Sequence, residues 1–165
     1  MQLLLVRHAI AFDRNASRWP DDAERPLTRA GAARARQAAQ ALKRLGEPPV
    51  RVLTSSLTRA QQTASILTRF AGWPEATPCA QLLPGVSPER VIGLLARARD
   101  RCVAVVGHEP GLSRLIAACL PGGASASAFE MKKMGVALLE FPAAAQAGRG
   151  RLVWLLPPKV LRAAR

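Results

Sequence analysis

The stretch QLLLVRHA (Gln2 to Ala9) decides the fold and places the first candidate chemistry on it. Leu3 to Val6 is a short, continuous apolar run, which is typical of a strand buried on both faces of a parallel sheet. Arg7 and His8 follow this strand directly. Because ligands of open α/β sheets bind beyond the carboxyl ends of the strands, this pair is a candidate functional element.

The rest of the chain alternates strand and helix signals. Further strands are predicted at Val50 to Leu53, Val103 to Val106, Val136 to Phe141 and Leu152 to Leu156, the last two able to pair as an antiparallel hairpin. Helices are predicted from Thr28 to Leu45, from Glu89 to Arg99 and from Pro110 to Leu120, and a further helix should begin after a cap at Ser55 or Ser56. Loops are predicted at Asp13 to Pro26 and Gly72 to Pro88. This order predicts an α/β fold with a mainly parallel sheet, in a single domain over residues 1–165.

The chain is strongly basic. It has 165 residues and a net charge of +13, from 24 Lys and Arg against 11 Asp and Glu. The basic residues are scattered over Arg29 to Arg44, Arg97 to Arg101 and Arg149 to Arg165. Aromatic residues make up only 4%, with no Tyr, so platforms for stacking bases are scarce. We therefore favour a solvated surface that attracts acidic or phosphorylated partners. A basic nucleic-acid-binding protein without catalysis is the alternative of another class.

Cellular location is constrained by two features. No apolar run is long enough to cross a membrane, and the N-terminus lacks the basic leader and cleavage site of a secretory signal. The three cysteines, Cys79, Cys102 and Cys119, are odd in number and irregularly spaced, which argues against a disulfide framework. We expect a cytoplasmic protein in which Cys102 and Cys119 are small buried hydrophobic residues.

The two histidines of the chain both follow predicted strands. His8 follows the first strand beside Arg7, His108 follows the third, and Arg59 lies in the first turn after the second. These residues should meet at one edge of the sheet. Guanidinium groups bind phosphoryl oxygens in pairs, and imidazole can attack phosphorus. A metal site is the other possibility, but the cation beside His8 and the few available ligands favour an anion, so no metal is expected.

Five motifs in order resemble the histidine phosphatase superfamily, whose relatives include the phosphoglycerate mutases. They are Leu5-Val6-Arg7-His8-Ala9, Pro26-Leu27-Thr28 with Gly31, the segment Thr54 to Ala64, Val105 to Gly111, and Met131-Lys132-Lys133-Met134-Gly135. The last is similar to a segment of the SixA-type phosphohistidine phosphatases. The resemblance implies a three-layer fold with helices on both faces of the sheet. It also implies that His8 is the nucleophile, that Arg7, Arg59 and His108 bind the phosphoryl group, and that no cofactor is needed.

The sequence departs from the family pattern at two places. Ala9 stands where the signature has Gly. The stretch Ala80 to Val86, where many relatives carry a catalytic Glu, has no carboxylate. Glu109 is a possible general acid instead, or it precedes and caps the helix after Pro110.

Substrate class follows from the missing acid and the short loops. An alkoxide leaving group benefits from protonation by the enzyme, whereas a phosphorylated imidazole depends on it less. We therefore expect a phosphatase acting on phosphohistidine of a carrier protein, with a phosphatase of a small phosphorylated metabolite as the alternative on the same fold.

Overall fold

A six-stranded sheet forms the centre of the molecule in the computed structural model, which describes residues 1–163. The strands are β1 (Gln2–Arg7), β2 (Arg51–Thr54), β3 (Ala76–Pro78), β4 (Cys102–Gly107), β5 (Val136–Glu140) and β6 (Arg151–Leu156). The helices are α1 (Arg29–Leu45), α2 (Thr58–Ala71), α3 (Pro88–Ala96), α4 (Gly111–Cys119) and α5 (Pro158–Ala163). Arg165, the end of the basic C-terminal stretch, lies outside the described residues.

The strand order is β3-β2-β4-β1-β5-β6. The first four strands are parallel to one another, and β5 and β6 run antiparallel to their neighbours. The mainly parallel sheet and the late antiparallel hairpin are therefore both confirmed. Strands β1 and β4 are adjacent at the centre, which brings their carboxyl ends side by side.

Helices cover both faces of the sheet, which confirms the three-layer architecture. Side chains of β1 alternate between two cores: Leu4 and Val6 pack with residues of α1 and α2, whereas Leu3 and Leu5 pack with residues of α3 and α4. A strand buried on both faces can be apolar throughout, as the sequence of β1 is.

Helix α1 begins as the sequence predicts and packs closely against the loop after β1. The Oγ1 of Thr28 caps the helix by accepting a hydrogen bond from the backbone N–H of Gly31 (2.9 Å). A Cβ added to Gly31 would lie 2.1 Å from the carbonyl oxygen of Ile10, so only glycine fits here. Gly31 of the Pro26-Leu27-Thr28 motif thus lets α1 approach the backbone just beyond His8.

Several local predictions were wrong. The expected loop Gly72 to Pro88 contains the edge strand β3, which is short and ends at Pro78; an edge position tolerates the missing N–H of proline. No serine caps α2, because the N-cap is Leu57 and its side chain makes no cap bond. Helix α3 ends at Ala96 rather than Arg99, and the C-terminal helix α5 was not predicted.

The three cysteines are buried and unpaired. Burial raises the pKa of Cys119 to about 12, and it also raises the pKa of Cys102. These thiols are therefore poor nucleophiles, as expected for small buried apolar residues. Among residues 1–163, no helix combines the length and the apolar character needed to cross a membrane.

Candidate active site

The two histidines meet at the carboxyl edge of the sheet. In the register of the central pair of strands, Arg7 of β1 lies opposite Gly107 of β4, so His8 and His108 are the next residues on adjacent strands. Their ring centroids are 5.0 Å apart and the ring planes are inclined by 54°. The structure thus brings the two imidazoles predicted from the sequence into one site.

The His8 ring is oriented by the backbone of its neighbour. Its Nδ1 lies 2.7 Å from the carbonyl oxygen of Ala9. A carbonyl oxygen only accepts hydrogen bonds, so Nδ1 carries the proton and Nε2 keeps a lone pair. Burial, reinforced by the charges of Arg59 and Arg7, lowers the pKa of His8 to about 4 despite the opposing effect of the Ala9 hydrogen bond. His8 is therefore a neutral imidazole at neutral pH, the form that acts as a nucleophile.

His108 is also neutral. Burial and the charges of His8 and Arg59 lower its pKa to about 3. Its Nε2 lies 2.8 Å from the Oγ of Ser55, a buried residue that directly follows β2. The same hydroxyl accepts a hydrogen bond from the backbone N–H of Leu57 (3.3 Å), the N-cap of α2, so Ser55 lies just before the helix rather than at its cap position.

Arg59 is fixed by an acidic residue whose role the sequence pattern does not indicate. Its Nη2 lies 3.1 Å from the Oδ2 of Asp22, and its Nη1 donates to the backbone carbonyl of Asp22 (2.8 Å). The Arg59 side chain is only 5% exposed, whereas that of Asp22 is 39% exposed. Arg25 binds the other carboxylate oxygen of Asp22, and this hydrogen bond holds the pKa of Asp22 below its usual range.

Arg7 is held by a backbone carbonyl of the segment before β5. Its Nη1 donates to the backbone carbonyl of Met131 (2.6 Å). The Nε–H groups of Arg7 and Arg59 are buried and have no hydrogen-bond partner in the part of the chain that the structure describes. Both guanidinium groups therefore retain donor capacity that the described protein atoms leave unused.

Helix α2 is tied to the His8 loop by residues of the motif that contains Arg59. The Oγ1 of Thr63 donates to the carbonyl of Arg59 (2.7 Å) and accepts from the backbone N–H of Ala9 (3.0 Å). The Oε1 of Gln62 accepts from the backbone N–H of Leu27 (2.8 Å). Thr63 and Gln62 thus position α2 against the segment after β1, through contacts that the sequence pattern alone does not reveal.

Glu109 is held by hydrogen bonds from structural groups. Its carboxylate accepts bonds from the backbone N–H of Met131 (2.9 Å), the backbone N–H of Ser113 (3.2 Å) and the hydroxyl of Ser113 (2.6 Å). The Ser113 N–H belongs to the first turn of α4. These contacts favour a role for Glu109 in capping α4 over a role as a general acid.

The loop beside His108 carries no acidic group. Gln81, Leu82, Leu83, Pro84 and Val86 line a small cleft together with Gly107 and His108. Gln81 is its polar member, and its Oε1 accepts a hydrogen bond from the Sγ of Cys79. The stretch in which the family resemblance implied a catalytic Glu therefore does approach His108 here, without a carboxylate.

Within residues 1–163, no group of three or more His, Cys, Asp or Glu side chains is arranged to hold a metal ion. Two guanidinium groups and two neutral imidazoles instead form a cationic site with hydrogen-bond donors. Such a set suits a tetrahedral oxyanion such as a phosphoryl group.

Comparison with known proteins agrees with this geometry. Residues 3–82 match the model of the histidine phosphatase superfamily, branch 1. An uncharacterized protein of Picosynechococcus sp. is 34% identical over 143 residues, which cover 82% of each chain.

Two solved structures of similar proteins share the whole fold. One is the protein histidine phosphatase SixA complexed with tungstate, with a TM-score of 0.85 and 27% identity over 98% of this chain and 99% of the other. The other is SixA from Nakamurella multipartitia, with a TM-score of 0.75 and 26% identity over 95% of each chain. The motifs, the fold and these similarities place the chain in branch 1 of the histidine phosphatase superfamily.

Proposed function

We propose that this phosphatase removes the phosphoryl group from a phosphohistidine on a partner protein, by way of a phosphohistidine formed on His8. The observation that carries the substrate class is the cleft beside His108, which is lined by Gln81 and apolar residues instead of a carboxylic acid. Such a site suits a leaving group that needs no proton from the enzyme.

The nearby carboxylates do not replace the missing acid. Asp22 lies at Arg59, and its hydrogen bond with Arg25 lowers its pKa, so it is ionised at neutral pH and has no proton to give. Glu109 accepts three hydrogen bonds from Ser113 and Met131. An alkyl phosphate would therefore have to leave as an unprotonated alkoxide, whereas a phosphorylated imidazole protonated on its free nitrogen leaves as a neutral ring.

In the first step the Nε2 of His8 attacks phosphorus. The P–N bond to the substrate histidine breaks, and its electron pair returns to the departing imidazole, which is neutral because its other nitrogen carries a proton. Arg7, Arg59 and His108 stabilise the charge on the transferring oxygens. The carbonyl of Ala9 keeps the proton on the Nδ1 of His8 throughout.

In the second step water attacks the phosphorus held by His8. The P–N bond breaks and its electrons return to Nε2, while the proton lost by water goes to phosphate or solvent. Because Nδ1 is still protonated, His8 leaves as a neutral imidazole and the starting state is restored. The Ala9 carbonyl thus supports both the attack and the release.

Similarity supports the same proposal. The protein histidine phosphatase SixA is similar over nearly the whole chain, and its structure was obtained with tungstate, a tetrahedral oxyanion. An oxyanion bound among Arg7, His8, Arg59 and His108 is the corresponding expectation here.

The test compares kcat/KM for a histidine-phosphorylated protein with kcat/KM for glycerol and sugar phosphates. We expect a marked preference for the phosphohistidine. Labelled substrate should leave acid-labile phosphate on the enzyme, and the label should be lost in His8→Ala. A preference for an alkyl ester would instead make the chain a phosphatase of a small metabolite, and label on another residue would refute the role of His8.

A further inference from the structure

A second cationic feature lies next to the active site. Five basic side chains surround a cavity of about 200 Å³ whose other lining residues include Ile10, Gly31 and Met134. The basic side chains are those of Arg34 from α1, Lys132 and Lys133 from the segment before β5, and Lys159 and Arg162 from α5. We call this feature the basic groove.

Among the residues that the structure describes, little neutralises the charge of the basic groove. Lys132 pairs with Glu130 at 2.5 Å. Within residues 1–163, no carboxylate lies within 4.0 Å of the charged nitrogens of Arg34, Lys133, Lys159 or Arg162. Like charges around one cavity repel one another and create a positive potential. An anionic surface bound there would reduce that repulsion.

The groove and the active site share a backbone segment. The N–H of Met134 is directed to the carbonyls of Arg7 (3.0 Å) and His8 (3.2 Å), and the carbonyl of Met131 accepts from the guanidinium of Arg7. Lys132 and Lys133 lie between these two attachment points. An anionic surface seated in the groove would therefore lie beside the entrance to His8.

The character of the groove favours a protein over a small anion or a nucleic acid. Arg34, Lys132 and Lys159 are exposed, so their charges are mobile and suit a broad contact rather than a rigid pocket for one ion. None of its lining residues is aromatic, so bases would find no ring to stack on. A folded partner with clustered Asp and Glu side chains matches both properties.

We infer that the basic groove docks an acidic surface of the protein that carries the phosphohistidine, and so orients the phosphorylated ring toward His8. This inference rests on the proposed phosphohistidine activity. Exposed charges act mainly on encounter and on KM, so the groove should raise kcat/KM for a protein substrate without changing the chemistry at His8.

The experiment uses the full chain and two double charge reversals. Arg34→Glu/Lys159→Glu reverses two exposed charges of the groove. Lys43→Glu/Arg99→Glu reverses one Lys and one Arg, also exposed, and changes the net charge equally. Lys43 lies at the end of α1 and Arg99 lies just before β4, so both belong to the opposite, amino edge of the sheet. The substrates are a histidine-phosphorylated protein of net negative charge and phosphoramidate, a small P–N compound.

We expect the groove variant to lose about tenfold in kcat/KM on the acidic phosphoprotein, mostly through KM, and to keep wild-type activity on phosphoramidate. The control variant should change much less. The difference should shrink near 1 M salt, where the screening length is about 3 Å.

Equal losses in both variants would overturn the inference, because they would show an effect of net charge alone. A wild type that cleaves phosphoramidate but no phosphohistidine protein would overturn the proposed function and the docking inference together. Unchanged phosphoprotein kinetics, combined with RNA binding that only the groove variant loses, would reassign the groove to nucleic acid.

Discussion

Asp22 contacts Arg59 at two points, one through its carboxylate and one through its backbone carbonyl. The pair joins the loop after β1 to the first turn of α2, two segments separated by 37 positions in the chain. The guanidinium is thus oriented by Asp22, and its Nε–H has no acceptor among the described residues.

Asp22→Asn should lower kcat/KM by roughly tenfold, because the amide keeps the shape of the side chain but removes the charge that orients Arg59. The melting temperature should also fall, because the substitution leaves the guanidinium of Arg59, only 5% exposed, without its ionic partner. In an Arg59→Ala background the same substitution should have almost no effect on kcat/KM. Additive losses in the double variant would show that Asp22 acts independently of Arg59.

Arg59→Ala should cost about 2–4 kcal/mol of transition-state stabilisation, the range for loss of a preorganised donor. Arg59→Lys should restore only part of kcat/KM, because a point charge cannot reproduce the two contacts with Asp22 and still present a fork to the phosphoryl group. Full activity of the Lys variant would mean that Arg59 supplies only long-range charge.

Acid should destabilise the protein through its two buried histidines. Their pKa values are about 4 and 3 in the folded state against 6.5 for an ordinary histidine, so between pH 6.5 and 4 the unfolded chain binds more protons. The free energy of unfolding that these neutral rings contribute is fully present above pH 6.5, and it decreases as the pH falls toward their pKa values in the folded state. Denaturant unfolding at pH 7 and pH 4.5 should show a smaller acid loss in His8→Asn and His108→Asn than in wild type. Identical losses in all three proteins would contradict the burial of neutral histidines.

Gly31→Ala should destabilise the fold by about 1–3 kcal/mol, because its Cβ would overlap the carbonyl oxygen of Ile10 at 2.1 Å. It should also lower activity by shifting the loop that follows His8. Gly93→Ala in α3 is the matched control, since nothing lies within 4 Å of its added Cβ and alanine favours a helix. A harmless Gly31→Ala would show that the loop and α1 separate easily.

Chelation should leave activity intact. The described residues offer no cluster of metal ligands, and two arginines already provide positive charge at the site. Activity on phosphohistidine protein should survive exhaustive treatment with a chelator. Loss of activity that a single divalent ion restores would refute a metal-independent mechanism.

The central sheet and the proximity of His8 and His108 could be predicted because each rests on a strong local pattern. The apolar runs of β1 and β4 are followed at once by Arg7-His8 and Gly107-His108, and parallel neighbours end at the same edge. The edge strand β3 and helix α5 could not be predicted, because both are short and contain proline. Their local sequence patterns therefore resemble those of a loop.

The contacts of Asp22 and Ser55 were missed for another reason. Each lies in a polar segment that fits a turn or a helix cap, and its partner, Arg59 or His108, is more than 30 positions away. The basic groove is hidden in the same way, because its cations come from three separate segments that the sequence shows only as scattered charge. Long-range pairing of polar groups becomes visible only in the folded chain.

The 5.0 Å between the imidazoles of His8 and His108 is close to the ~4.8 Å spacing of neighbouring strands. The spacing of adjacent strands thus sets the scale of the separation, whereas the hydrogen bonds of His8 with Ala9 and of His108 with Ser55 hold the two rings in their orientations. A protein designer could reproduce the pair on any two adjacent parallel strands that end level with each other. Arg59 would then be the part that has to be built, since it lies on α2, whereas Arg7 is the last residue of β1.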